Sequence, residues 1–201
     1  MPADDMSIVL AIDQSTTTGS AALLEGTSLL AERSWEETGI RHQRLFAVLP
    51  ELLAAASLSA EAIDLFAVGL GPGTFSGLRI SLSAAQALAI PGNKPVYGLS
   101  SGEAIAWDVL RKTGASSVVV LGDARRHRFW YARFRIEAGR PAMVAPYALV
   151  PTHELSSVLD EGAVVVTPHW DRIGAELTAH AQGATPVKNT VVPQARTVGE
   201  L

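Results

Sequence analysis

The chain has 201 residues, of which 48% are hydrophobic and 18% charged, with a net charge of −4 and no cysteine. That balance fits one large soluble domain or two small ones, and it excludes wholesale disorder, disulfides and any cysteine nucleophile or cysteine metal site. The acidic balance also disfavours direct, tight RNA binding by the chain alone, because phosphate binding depends on clustered Lys and Arg.

The start of the chain, Met1 to Asp5, is acidic, and the apolar run Ile8 to Ile12 is too short for a signal peptide. No stretch approaches the roughly 20 apolar residues of a membrane span. A cytoplasmic protein away from membranes is expected. Ser7 to Ile12 reads as a strand ending at Asp13, and the apolar runs at Ala21 to Leu24 and Ser28 to Trp35 complete an antiparallel three-strand meander. Between the first two strands lie Gln14 to Ser20, rich in hydroxyls. A carboxylate at a strand end beside Ser15 and Thr16 could hold a Mg²⁺-bound phosphate. Side-chain caps of an ordinary turn explain the same residues, and the residues alone favour that.

From His42 to Ala56, Leu45, Val48, Leu49, Leu52, Leu53 and Ala56 repeat on one helical face. Phe46, Ala47, Ala54 and Ala55 extend the apolar character around the helix, and Pro50 predicts a kink or a new start. Phe66 to Leu70 reads as a strand, and Gly71, Pro72, Gly73, Thr74, Phe75, Ser76 and Gly77 form a tight turn into a helix from Leu78 to Ile90. The turn lacks the Lys of a Walker loop, and Ser76 stands where a dinucleotide fingerprint needs glycine. Its glycines therefore point to a sharp connection and close packing, although Gly71, Gly73 and Ser76 remain candidate phosphate contacts. The following helix has one stripe of Leu78, Leu82, Ala85 and Ala89 and a second face of Ser81, Ala84 and Leu88. Two helices this apolar need cover on two sides, either inside the domain or as half of a four-helix interface.

Pro95 to Leu99 is another strand, followed by a helix to about Lys112. Gly98, Ser100 and Gly102 match the Gly-x-Ser-x-Gly elbow of hydrolases, with Asp160 and His169 or His180 as downstream partners, but Ser100 with Glu103 also makes a capping box, the commoner device. Ser117 to Leu121 and Arg128 to Ile136 pair as strands around Gly122 and Asp123. VVLGD at 119 to 123 echoes VLAID at 9 to 13, which predicts two halves of similar topology. In the second copy Ala124, Arg125, Arg126 and His127 replace the small hydroxyl residues, and a solvated salt-bridge role is expected for the arginines. Met143 to Val150 and Ala163 to Thr167 read as weak strands, and Thr152 to Leu159 and Trp170 to His180 as helices. The five histidines show no metal-ligand spacing. The last twenty residues carry no clear periodicity.

LAIDQSTTTGSAAL near the start, GLGPGTFSGLRISLSAAQALA in the middle, PVYGLSSGEAIA and GDARRHRFWYARF together resemble the TsaB (YeaZ) family, over about residues 8 to 135. The resemblance implies an α/β protein of the actin-like ATPase (ASKHA, ribonuclease H-like) fold. Two related lobes follow, residues 1–100 with the partner-binding helices and residues 101–201 as a degenerate, shortened copy, each with a mixed sheet and flanking helices. It further implies a non-catalytic role in making threonylcarbamoyladenosine at the adenosine 3′ of the tRNA anticodon, with no catalytic residue and no metal ligand. The implied partners are a TsaD-like transferase subunit and a TsaE-like ATPase, with tRNA met through the complex and a homodimer when the chain is alone. No cofactor is expected to bind firmly; ATP or ADP with Mg belongs at the complex interface. The TsaD-like contact carries over onto Leu45, Phe46, Leu49, Leu53, Leu78, Ser81, Leu82 and Ala85. The chain departs from the family in Thr167, Pro168 and His169, where relatives are often glycine-rich, and in ending at Leu201.

Overall fold

The computed structural model describes residues 6–37, 44–159, 161–181 and 183–201. The chain divides into two compact units, Met1–Ala104 with Pro193–Leu201, and Ile105–Val192.

In the first unit β1 (Ile8–Asp13), β2 (Thr18–Glu25) and β3 (Ser28–Glu36) form the expected antiparallel meander. β4 (Leu65–Gly69) then joins β1 in parallel and β5 (Val96–Leu99) joins β4, giving the order β3-β2-β1-β4-β5. The two-residue alternation of these strands sorts their side chains between two faces. Leu10, Ile12, Leu23, Phe66 and Val68 meet α1 (Arg44–Ala55) and α2 (Phe75–Ala89) on one face. Val9, Ala11, Ala22, Leu24 and Ala67 lie on the other, where Ala104 from the start of α3 (Ser101–Thr113) covers them. Each fully buried Leu or Phe here stabilises the unit by ~1.5–3 kcal/mol.

The second unit repeats the plan. β6 (Val118–Asp123), β7 (Arg128–Glu137) and β8 (Arg140–Pro151) form an antiparallel meander; β9 (Val164–Thr167) joins β6 in parallel and β10 (Thr185–Thr190) joins β9. The order β10-β9-β6-β7-β8 is that of the first sheet counted from each unit's opening strand. α4 (Trp170–His180) leaves β9 as α2 leaves β4, and buries Ile173 and Leu177 against Val119, Leu121 and Val165. The echo of VLAID in VVLGD is therefore an echo of topology.

Four expectations change. The boundary falls within α3, after Ala104, and the last nine residues return to the first unit as α5 (Ala195–Glu200), whose Ala195 and Val198 seal the second face of its sheet. Pro50 does not start a new helix, since α1 runs unbroken from 44 to 55; the proline sits on the exposed side, where water can satisfy the carbonyl it leaves free. Thr152–Val158 is a 3₁₀ segment rather than an α-helix. The start of the expected helix at His42 and Gln43 lies outside the described residues, as does Asp160.

Candidate functional site

The turn between β1 and β2 is a closed polar knot. Asp13 Oδ1 accepts the Ser15 N–H at 2.8 Å and the Ser15 hydroxyl at 2.7 Å, and Asp13 Oδ2 accepts the Ser101 hydroxyl at 2.6 Å. Ser101 Oγ in turn accepts the Gly71 N–H at 2.9 Å. Asp13, Gln14, Ser15 and Thr16 are all buried. Burial pushes the Asp13 carboxyl pKa upward, against the hydrogen bonds of Ser101 and Ser15, which favour the ionised form. Thr16 Oγ1 donates to the Thr18 carbonyl at 2.8 Å, and Gln14 donates from Nε2 to Glu37 at 3.1 Å.

The glycine-rich connection from β4 to α2 is what closes the knot. The Thr74 N–H donates to the Ser15 carbonyl at 2.8 Å. A Cβ on Gly73 would lie 2.1 Å from the Ser15 carbonyl oxygen, and one on Gly77 would lie 1.9 Å from that of Gln14. Only glycine lets the two backbones approach this closely. Asp13, Ser15, Thr16 and Gly71 are thus packed inside, while Gly73 and Ser76 sit on the exposed rim. Ser101, which locks Asp13, lies 88 residues from it, and no local spacing in the sequence announces the pair.

The helices of the first unit lie side by side on one face of its sheet, α1 over β2 and β3, α2 over β4 and β1. Four of the expected partner contacts point inward instead: Leu45, Leu49, Ser81 and Ala85 are buried in the unit's own core. They are corrected to core residues, since small side chains at Ser81 and Ala85 let α2 settle closely on the strands. Leu53, Leu78 and Leu82 are half-buried. Phe46 is 59% exposed. Two residues outside the eight expected contacts complete the outer surface, Phe75 at 74% and Ile90 at 76% exposure. Phe75, Arg79, Leu82, Gln86 and Ile90 follow one another at helical spacing along the outside of α2, with the Arg79 guanidinium 5.7 Å from the Phe75 ring centroid. On α1 the exposed residues include Ala47, Pro50, Ala54 and Ala55, with Arg44 and Glu51 the exposed charges.

Ser100 is a helix cap. Its hydroxyl accepts the Glu103 N–H at 3.1 Å at the start of α3. The histidines once paired with it by order in the chain are engaged elsewhere in the second unit: His169 Nδ1 accepts the Asp123 N–H at 3.1 Å, and His180 Nδ1 lies 3.2 Å from Ser156 Oγ.

The β6–β7 hairpin begins like its counterpart, the Arg125 N–H donating to Asp123 Oδ1 at 2.6 Å, but it stays open. A cavity of about 290 Å³ lies beside it, lined by the hairpin and by Arg172, Ile173 and Glu176 of α4. Arg172 pairs with Asp123. Partial burial works to raise the Asp123 pKa, but the Arg125 N–H and the Arg172 guanidinium outweigh it and hold the carboxyl below its ordinary value. Burial, aided by the Arg172 charge, lowers His169 to about 4, so the ring is neutral at physiological pH.

Two units of identical strand order, each opening on an antiparallel hairpin that ends in an aspartate, define an α/β protein of the actin-like ATPase (ASKHA, ribonuclease H-like) class. The family model for TsaD, tRNA N6-adenosine threonylcarbamoyltransferase, matches residues 36–169. The chain belongs to the TsaB (YeaZ) family, within the wider group that this model describes. It is 33% identical over 128 residues to the tRNA threonylcarbamoyladenosine biosynthesis protein TsaB of Escherichia coli, covering 63% of this chain and 54% of that protein. An uncharacterized protein of Mycobacterium leprae is 36% identical over 152 residues, 73% of this chain and 41% of that protein. The structure of YeaZ from Pseudomonas aeruginosa matches with a TM-score of 0.80 and 26% identity over 96% of this chain and 89% of that one. The chain spans about half the length of the curated relatives it matches. Among the described residues no helix is long and apolar enough to cross a membrane.

Proposed function

We propose that this chain is a non-catalytic subunit in the biosynthesis of threonylcarbamoyladenosine in tRNA, at the adenosine 3′ of the anticodon, and that it docks a TsaD-like transferase subunit through the outer surfaces of α1 and α2. The observation that carries the proposal is the exposure of Phe46, Phe75 and Ile90 on one helical layer with few charges. Large apolar side chains left in water on the outer surfaces of two neighbouring helices favour cover by another protein. An interface of standard size, ~1,600 Å² in total, would take in that layer. A partner of related fold offers an equivalent pair of helices, and a second copy of this chain fills the same place when the partner is missing. A TsaE-like ATPase joins this assembly, and tRNA meets the chain as part of it.

The rival reading, an ATP-using actin-like kinase working through Asp13, needs open oxygens on that carboxylate. Ser15 and Ser101 already occupy them, and the backbone of the glycine turn lies where phosphates would rest. Nucleotide with Mg therefore belongs, in this proposal, at the interface of the complex rather than in the first hairpin.

Co-expression with a TsaD-like subunit tests the docking. Phe75→Glu and Ile90→Glu change exposed positions and leave the fold intact, so a melting curve like that of the parent together with loss of co-purification is the expected result. Undiminished co-purification of both variants would refute the interface.

A further inference from the structure

The β6–β7 hairpin holds three consecutive residues in the left-handed backbone region, Arg125 at φ 67°, Arg126 at 53° and His127 at 57°. None is glycine, and each such residue is strained relative to the glycine or asparagine that a turn of this kind ordinarily takes. Backbone strain of this sort persists where the surrounding structure holds it, and it clusters at ligand-binding sites. Cavities of about 290 and 480 Å³ flank the hairpin, and Arg125, Arg126 and Arg128 line both. Arg172 adds a fourth guanidinium to the first cavity, whose carboxylates are Asp123 and Glu176. Asp123 is already paired with Arg172 and Arg125, whereas Arg126 and Arg128 have no carboxylate partner among the described residues. The chain as a whole is acidic, so this concentration of positive charge does not follow from its composition.

We infer that the hairpin clasps the phosphate backbone of RNA, with Arg126 and Arg128 as the primary contacts. Guanidinium groups bind phosphate oxygens in a bidentate fork, and placing them on both sides of one hairpin suits a strand of successive phosphates better than a single nucleotide. Of the two aromatic rings in the lining, Phe129 is buried and His127 stands at the surface. Contact is therefore independent of sequence and weak in isolation, supplementing the grip of an assembly that works on tRNA. This inference rests on the tRNA-modification reading proposed above, but its test does not pass through the apolar helices.

The experiment measures fluorescence anisotropy of labelled unmodified tRNA titrated with the full chain at 50 to 200 mM salt. Arg126→Gln/Arg128→Gln is compared with the parent and with Arg33→Gln/Lys188→Gln, which removes the same charge elsewhere. Losing two phosphate contacts should shrink the salt-driven loss of affinity over that range by roughly tenfold, while the control pair behaves as the parent. Arg126→Gly, which relieves the strained backbone, should bind less RNA while melting no lower, so that lost binding cannot be ascribed to lost folding. Equal weakening by the hairpin pair and the control pair overturns the inference, as does the absence of salt-dependent binding by the parent chain. Competition by ATP at concentrations far below those of tRNA phosphate overturns it in favour of a small phosphate ligand. Loss of co-purification with the TsaD-like subunit by Arg126→Gln/Arg128→Gln also overturns it, making the hairpin a protein contact. Loss of docking by Phe75→Glu alone leaves it untouched.

Discussion

Replacing Asp13 separates a structural hairpin from a ligand site. Asp13→Ala removes the acceptor of three hydrogen bonds, two from Ser15 and one from Ser101. The Ser15 amide is left buried without a partner, at ~1–3 kcal/mol, while both hydroxyls can rotate toward other acceptors. Removing a buried carboxylate whose pKa is raised by burial returns part of that loss, so a net destabilisation of about 2 kcal/mol is expected. In a chain of this size that lowers the melting temperature by ~4–8 °C. Asp13→Asn retains one oxygen toward Ser15 and turns its amide toward Ser101 Oγ, and should cost only about 1 kcal/mol. The sign of the pH dependence follows from the direction of the shift. With the folded pKa raised above 3.8, the native state holds more protons than the unfolded state between the two values, so the contribution of Asp13 to stability falls as pH rises through that window. Asn does not ionise, and the stability gap between parent and Asp13→Asn therefore narrows as pH rises above about 4. Urea unfolding at several pH values reads this, with calorimetric titration of Mg-ATP in parallel. Unchanged unfolding of Asp13→Ala, combined with micromolar ATP binding by the parent that the variant loses, would refute the structural assignment.

Two further outcomes follow from the same geometry. Because His169 is held neutral, its folded pKa of about 4 against 6.5 unfolded gives stability that is present above pH 6.5 and lost as pH falls toward 4; the ring is partly open to solvent, so roughly 2 kcal/mol is expected, and a pH series in which His169→Gln shows the same decline would contradict it. Gly77→Ala would set a methyl 1.9 Å from the Gln14 carbonyl, a backbone atom that cannot swing aside; a loss of ~1–3 kcal/mol in urea unfolding is expected, and an unaltered midpoint would show that the glycine turn does not press on the hairpin.

Much of the fold was legible because its strands and helices obey simple periods. The meander of β1 to β3, the apolar helices and the repeated strand-to-aspartate motif were all readable as patterns of side chains. The orientation of α1 and α2 was not. Both helices are apolar around most of their circumference, so periodicity marks a stripe without saying whether sheet or partner lies against it. Leu45 and Leu49 face the sheet, and Phe46 faces out, although neighbours in sequence. The clamp from Ser101 to Asp13 was hidden by its separation in the chain. β10 and α5 were hidden by composition, since Thr, Pro, Lys and Asn dominate the strand and the helix has only six residues.

The two hairpins show how one topology yields different sites. Each begins with an aspartate accepting the amide two residues on, Ser15 in one case and Arg125 in the other. In each unit the connection from the fourth strand to its helix is placed to cover that turn. The first connection is glycine-rich, so its backbone descends onto the carbonyls of Gln14 and Ser15. The second carries Pro168 and His169, whose bulk precludes such an approach. It touches the turn with an imidazole ring that accepts the Asp123 amide, and the space left beneath becomes the cavity bordered by Arg125, Arg126 and Arg172. Glycine in one connection and histidine in the other thus decide which hairpin is core and which is surface. Transplanting a glycine turn into the second unit should close its cavity without rearranging the sheet, because the strand order on which both connections rest is the same.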